Sequence, residues 1–309
     1  MCYTEHTMRT AIAIDFGGTF LKGAIVREDG TILEREQRPT ESAKGADTVL
    51  ANLVQLIVDL RAKAPESIGV GLGVPAPINH RDGVAATFPN VSLPDNFPIR
   101  EYISQRCELP VVVHNDANAA VLGEAWIGAA HGVTDVLMLT LGTGIGGGVI
   151  SNSVLIQGAD GLGAELGHMR LRMDGPACGA GVSGCLEALA SAPAVVRMAQ
   201  ETLDATITDS RQVYDRAKMG DDGALQIWRD IGVVLGVAIG NYINIFNPRV
   251  VLLGGNMSDA LEFILPSLCD TARATCYPAL YKACTITRAK LGNDAGILGA
   301  AHSVFTTLV

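Results

Sequence analysis

Apolar and polar positions along the chain recur with periods that mark strands and helices in alternation. Residues 10–15 form a short β-type run ending in Asp15, and residues 21–26 form a second. Asp29-Gly30 is a hairpin turn signal leading into a third strand over residues 31–36, so the chain opens as a meander. Val49, Leu50, Leu53, Leu56, Ile57 and Leu60 recur at helical spacing and predict a helix over residues 46–62. A buried strand follows over residues 68–74, closed by Pro75-Ala76-Pro77. Then come a helix (98–107), a strand (110–114) and a helix (116–127).

The pattern starts again with a strand at residues 135–141 that runs into the glycine-rich stretch 142–148, with the next strand beginning at Val149-Ile150. Helices are predicted over residues 185–204, 210–218 and 222–246, the last stopped by Asn247-Pro248. Residues 249–253 read as a strand ending in Gly254-Gly255. A helix (258–275), a strand (283–287) and a last helix (294–308) complete the chain. Strand, glycine turn, strand thus occurs twice, near residues 10–26 and 135–150. Matching openings predict a duplicated α/β fold of two domains with a central cleft, hinged near residues 115–130 and 290–300. The apolar stretches are broken by Gly, Asn or charge, so no membrane span is expected.

Composition sharpens this picture. Glycine accounts for 35 of 309 residues, about 11% against a usual ~7%. No Gly-X-Y period runs through the chain, which excludes collagen, and an apolar share of 48% with 18% charged excludes disorder. The excess is local: residues 140–184 hold 13 of the 35 glycines, which points to special backbone geometry or close approach to a ligand. A net charge of −9 disfavours nucleic-acid backbones as partners. Seven cysteines without an export signal are expected to be free thiols in a reducing cytoplasm.

The motifs carry the chemistry. Asp15-Phe-Gly17-Gly18-Thr19 with Lys22 places an acid, a close-approach turn, a hydroxyl and a cation at a strand end, a combination that can present backbone N–H groups to phosphate. It is neither a Walker A loop nor a Rossmann turn, since the spacing differs and a strand follows. Residues 140–148 hold five glycines, at 142, 144 and 146–148, and read as a second phosphate-contacting hairpin; a glycine-lined strand is the alternative. Asp116 in His114-Asn115-Asp116-Ala-Asn118 begins a helix, where an N-cap would be the plain reading. Glu165-Leu-Gly-His168 with Cys178, Cys185 and Glu187 offers one His and two Cys to Zn²⁺, which wants four N/S ligands.

Together these motifs resemble the ROK family of sugar kinases and repressors, within the hexokinase/actin-like ATPase superfamily, from Asp15 to Ala301. The resemblance implies a duplicated actin-like ATPase (ribonuclease H-like) fold. An N-terminal domain over residues 1–118 would be joined by the helix at about 296–309, with a larger C-terminal domain over 119–295. It implies that ATP and Mg²⁺ meet Asp15, Gly17, Gly18, Thr19, Lys22, Gly142, Thr143, Gly144 and Gly146, with Gly254 and Gly255 on the adenosine side. Asn90, Asn115, Asp116, Glu165, His168 and Glu187 would hold a sugar, and Asp116 would be the general base. The implied activity is ATP-dependent phosphorylation of a hexose, foremost glucose. N-acetylmannosamine, N-acetylglucosamine, fructose or allose are alternative acceptors, and polyphosphate is an alternative donor. A sugar-responsive regulator is the reading of another class; the 14 residues before Asp15 are too few for a helix-turn-helix. A catalytically silent sugar-binding protein is a third, against which Asp116 and both glycine turns stand. A cytoplasmic homodimer is the family expectation.

Two departures matter. The family's zinc knuckle is Cys-x-Cys-Gly-x-x-Gly-Cys-x-Glu; here His168, Cys178 and Cys185 are in register as metal ligands, but the middle Cys is Ala180. The loop is therefore expected to fold without zinc. Ala76 stands where many family kinases have Gly, which adds a methyl beside the sugar loop.

Overall fold

A computed structural model describes residues 8–88 and 91–308. The chain divides into two compact units. One comprises the residues up to His131, Gln157–Gly163 and the segment from Asn293 onward; the other comprises Gly132–Ile156 and Ala164–Gly292.

In the first unit, strands β1 (Thr10–Phe16), β2 (Phe20–Arg27) and β3 (Ile32–Pro39) form the expected antiparallel meander. Helix α1 (Ala46–Lys63) follows, and its six periodic apolar residues are all buried; each contributes roughly 1.5–3 kcal/mol of transfer free energy. Strand β4 (Val70–Val74) lies parallel to β1. A small β5–β6 hairpin (Ile78–Asn79, Val84–Ala85), helix α2 (Ile99–Cys107), strand β7 (Val111–Asn115) and helix α3 (Asp116–Ile127) complete the run. The sheet order is β3-β2-β1-β4-β7, with β7 parallel to β4.

The second unit repeats this plan. Strands β8 (Val136–Leu141), β9 (Ile145–Ser151) and β10 (Val154–Leu155) make a second meander; β11 (Val250–Gly254) and β12 (Thr285–Arg288) add in parallel, giving the order β10-β9-β8-β11-β12. Its helices are α4 (Leu186–Ala190), α5 (Ala192–Thr202), α6 (Ser210–Lys218), α7 (Asp222–Phe246), α8 (Leu261–Thr275) and α9 (Pro278–Ala283). Helix α7 is long and apolar enough to cross a membrane by length and composition. However, 56% of its most apolar window is buried, and Gly232 and Gly236 bring it against the backbone of α8.

Three expectations change. The helix over residues 185–204 is two helices, because Ser191 is extended and Pro193, with no N–H to give, opens α5. The stretch 142–148 is only briefly a turn: β9 begins at Ile145, and Gly146, Gly147 and Gly148 pair with Thr140, Leu139 and Met138 of β8. A Cβ on Gly147 would lie 2.6 Å from the Leu166 side chain, so the glycine there admits a neighbouring segment onto the strand. Lastly, α3, expected to begin the second domain from residue 119, belongs to the first unit.

The reason lies in the C-terminal helix (Ala295–Thr307), which packs on α3 and on β4 within that unit. A Cβ on Gly299 would sit 1.6 Å from the Ala119 carbonyl oxygen; one on Gly123, 2.3 Å from that of Ala295; one on Gly71 of β4, 2.0 Å from that of Ala300. Backbone meets backbone at each point. Replacing Gly299 with Ala improves helix propensity by about 1 kcal/mol but cannot be housed without parting the helices, which costs about 3 kcal/mol. The Gly299→Ala variant is therefore expected to unfold at lower denaturant. Gly179→Ala, where nothing lies within 4 Å, is expected to shift the midpoint little.

Candidate active site

Ligands of open α/β sheets bind beyond the carboxyl ends of parallel strands, and in both units part of the predicted set lies at or just past the ends of such strands: Asp15, Asn115 and Asp116 in the first, Gly142–Gly144 and Gly254–Gly255 in the second. In the first unit, β1 ends at Asp15-Phe16, β4 runs into Pro75-Ala76-Pro77, and β7 ends at Asn115 just before Asp116.

The Gly17–Thr19 turn joins β1 to β2. The Gly17 N–H donates to the Phe20 carbonyl at 3.0 Å, where a Cβ on Gly17 would stand 2.8 Å from that oxygen. Thr40, fully buried, donates its hydroxyl to the Gly17 carbonyl at 2.6 Å, and its N–H to the Thr19 carbonyl at 2.9 Å. Thr40 was not among the sequence candidates; it follows β3 as one polar residue among many, and only the meander's closure reveals it. Lys22 Nζ lies 3.5 Å from Asp15 Oδ2. Burial pushes the Asp15 carboxyl up, and Lys22 offsets that only in part. A Cβ on Gly296, in the first turn of the C-terminal helix, would stand 3.6 Å from the Asp15 carboxyl, so the start of that helix lies near it.

At the end of β7 the cap is Asn115 and not Asp116. Asn115 Oδ1 accepts from the N–H groups of Ala117 (3.0 Å) and Asn118 (3.4 Å), while its Nδ2 donates to the Ala76 carbonyl at 3.3 Å. One amide side chain therefore starts α3 and braces the Pro75–Pro77 segment. Asp116 becomes the first helical residue, with Oδ1 accepting from the Ala117 N–H at 2.8 Å. His114 beside them is held down to about 4 by burial and by His80, so it is neutral near pH 7. Asn90 lies outside the described residues.

In the second unit, β8 runs into Gly142-Thr143-Gly144. The Gly142 N–H donates to the Gly144 carbonyl at 3.0 Å, and the Gly142 carbonyl accepts from the Ala192 N–H at the start of α5 at 2.8 Å. Gly255, which follows β11, has φ +84° and lies against the end of β8, where a Cβ would stand 2.3 Å from the Leu141 carbonyl oxygen. The adenosine-side candidates Gly254 and Gly255 are thus neighbours of the second turn, while Gly146 lies within β9.

Glu165 precedes a single helical turn over Leu166–His168, tied down by the Tyr242 hydroxyl, which donates to the Leu166 carbonyl. Burial pushes the Glu165 carboxyl up and nearby Glu187 adds to this, while His168 opposes it. His168 Nδ1 lies 3.6 Å from Cys178 Sγ, and the ligand atoms of His168, Cys178 and Cys185 all lie within 4.8 Å of one another. The fourth position of a closed zinc site is Ala180, whose methyl offers no donor. The loop also closes on its own backbone: Ala177 bridges Ser183, the Cys178 N–H donates to the Val182 carbonyl at 3.0 Å, and the Gly184 N–H to that of Pro176 at 2.9 Å. The six described cysteines are free thiols; Cys2 lies outside the described residues.

The model of the ROK family matches residues 11–306. A glucokinase of Thermotoga maritima is 37% identical, over 95% of this chain and 96% of that protein. A ROK hexokinase structure from Thermus thermophilus superposes with a TM-score of 0.83 at 32% identity, over 96% of this chain and 98% of that one. A Streptomyces griseus ROK glucokinase in complex with glucose and AMPPNP gives 0.82 at 30%, over 94% and 98%. With two sheets of the same strand order and this match over nearly its whole length, the chain has the duplicated actin-like ATPase fold and belongs to the ROK family.

Proposed function

We propose that this chain is an ATP-dependent glucose kinase that forms glucose 6-phosphate. The observation that carries the reading is the pairing, within one unit, of a phosphate turn after β1 with a carboxylate at the first position of α3 after β7. The similarity to glucokinases, one of them solved with glucose and a nucleotide, supports it.

Phosphoryl transfer needs positioning and charge neutralisation more than covalent help. In this reading, Gly17–Thr19 and Gly142–Gly144 offer backbone N–H groups to the phosphates, with Thr143 supplying a hydroxyl and Lys22 a cation. Gly254 and Gly255 flank the adenosine. Asp15 presents carboxylate oxygens that suit a hard cation, and Mg²⁺ bound there would neutralise phosphate charge. Asn90, Asn115, Glu165, His168 and Glu187 hold the sugar hydroxyls, and Asp116 takes the proton from the attacking one. Asn115 has spent Oδ1 on the helix cap, so it meets a sugar through Nδ2.

A coupled assay with ATP, Mg²⁺ and a panel of hexoses tests this. Turnover is expected with glucose foremost, and no turnover with any sugar removes the kinase reading. Asp116→Asn is expected to lower kcat by about 10²- to 10⁴-fold, the usual worth of a general base, with glucose binding retained by calorimetry. An unchanged kcat takes Asp116 out of that role.

Glu165 accepts a sugar hydroxyl best when ionised, and its pKa is raised by burial. Acidification therefore protonates it sooner than an ordinary glutamate. Glucose affinity is expected to fall as pH drops from neutrality through this raised value, and Glu165→Gln should flatten that limb of the profile.

The knuckle folds without zinc in this reading, because one ligand is Ala180 and the hairpin closes through backbone bonds. After dialysis against chelator the protein is expected to carry far less than one zinc per chain and to keep its thermal stability. Ala180→Cys is expected to retain close to one. A full equivalent in the unaltered protein would overturn this.

A further inference from the structure

The residue brought closest to the second glycine turn by side-chain contact comes from another motif. Helix α4 is short and is capped by Cys185, and Glu187 sits in its first turn. Glu187 Oε2 accepts the N–H of Ile145 at 3.0 Å. A Cβ on Gly144 would stand 2.5 Å from that same oxygen, so only glycine at 144 lets the carboxylate reach its donor. On the other face of Ile145, its carbonyl oxygen lies 1.8 Å from where a Gly167 Cβ would be. The residue that ends the turn and starts β9 is therefore fixed between Glu187 and the Glu165–His168 segment. Glu187 Oε1 makes no hydrogen bond with any described residue.

We infer that Glu187 is a positioning residue for the second phosphate turn, in addition to the sugar contact its motif implies. The inference rests on the kinase reading for its consequence but not for its geometry. A carboxylate is one rigid plane. A ligand that pulls on Oε1 rotates Oε2 and with it the donor direction at Ile145, so sugar occupancy and the set of the phosphate turn become linked. Linkage of this kind is reciprocal.

The test reads each side from the other, with the whole chain. In Glu187→Ala, AMPPNP affinity measured without sugar is expected to fall about tenfold, because a turn no longer held must be ordered on binding. Glu187→Gln, which keeps a carbonyl acceptor, is expected to recover most of it. Exchange of the Ile145 amide should speed up in the Ala variant and stay near the unaltered rate in the Gln variant. Gly144→Ala, whose methyl would push Glu187 aside, is expected to weaken glucose affinity measured without nucleotide, also about tenfold. Unchanged AMPPNP affinity and unchanged Ile145 exchange in Glu187→Ala overturn the inference, as does unchanged glucose affinity in Gly144→Ala. If the unaltered protein binds no AMPPNP, the kinase reading falls, and the exchange measurement still decides the positioning role.

Discussion

The carbonyl of Ala119 and the Cα of Gly299 touch with no room for a methyl between them, and much else in the first unit depends on that contact. It holds the last helix of the chain against α3 and β4, so residues far apart in the sequence become neighbours. The same docking delivers the N-terminus of that helix to Asp15 and backs the first turn of α3, where Asp116 stands. A side chain at Gly71, Gly123 or Gly299 would move both acids together. The site in this unit is thus as rigid as a helix pair packed backbone to backbone, with few rotamers left to choose.

Electrostatics then separates the two acids. Asp15 is pushed up by burial and answered by Lys22 and a nearby helix end, an environment that favours added negative charge only if a cation accompanies it. Asp116 lies at the start of its own helix, and Asn115 carries the capping duty beyond Ala117. A phosphate site needs compensated charge, which is what the Asp15–Lys22 pair offers.

The fold was legible wherever periodicity was strong. The helices over 46–62 and 222–246 and the first meander follow from apolar spacing and a turn signal. What stayed hidden was set by contacts distant in sequence. Glycine at 146–148 reads locally as loop, yet it is strand, because the reason for it is Leu166 and its turn. Asn115 reads in the sequence as a sugar ligand beside an Asp116 cap, and the structure makes Asn115 itself the cap and a strut to Ala76. Thr40 carried no local signal. The candidate residues were legible as types and spacings, but which of them hold one another was not, since a hydrogen bond between residues 145 and 187 leaves no trace in either segment alone.

The two glycine turns occupy equivalent places in their sheets but are braced by different chemistry. The first is held by backbone and by the hydroxyl of a buried threonine, a neutral group with no second task. The second is held by a carboxylate belonging to a motif that reads as sugar-binding. A neutral, buried brace fixes a turn whatever else is bound. A carboxylate brace passes on through one oxygen whatever its other oxygen meets. Duplication supplied two equal turns, and the side chains around them left one fixed and made the other responsive to its surroundings.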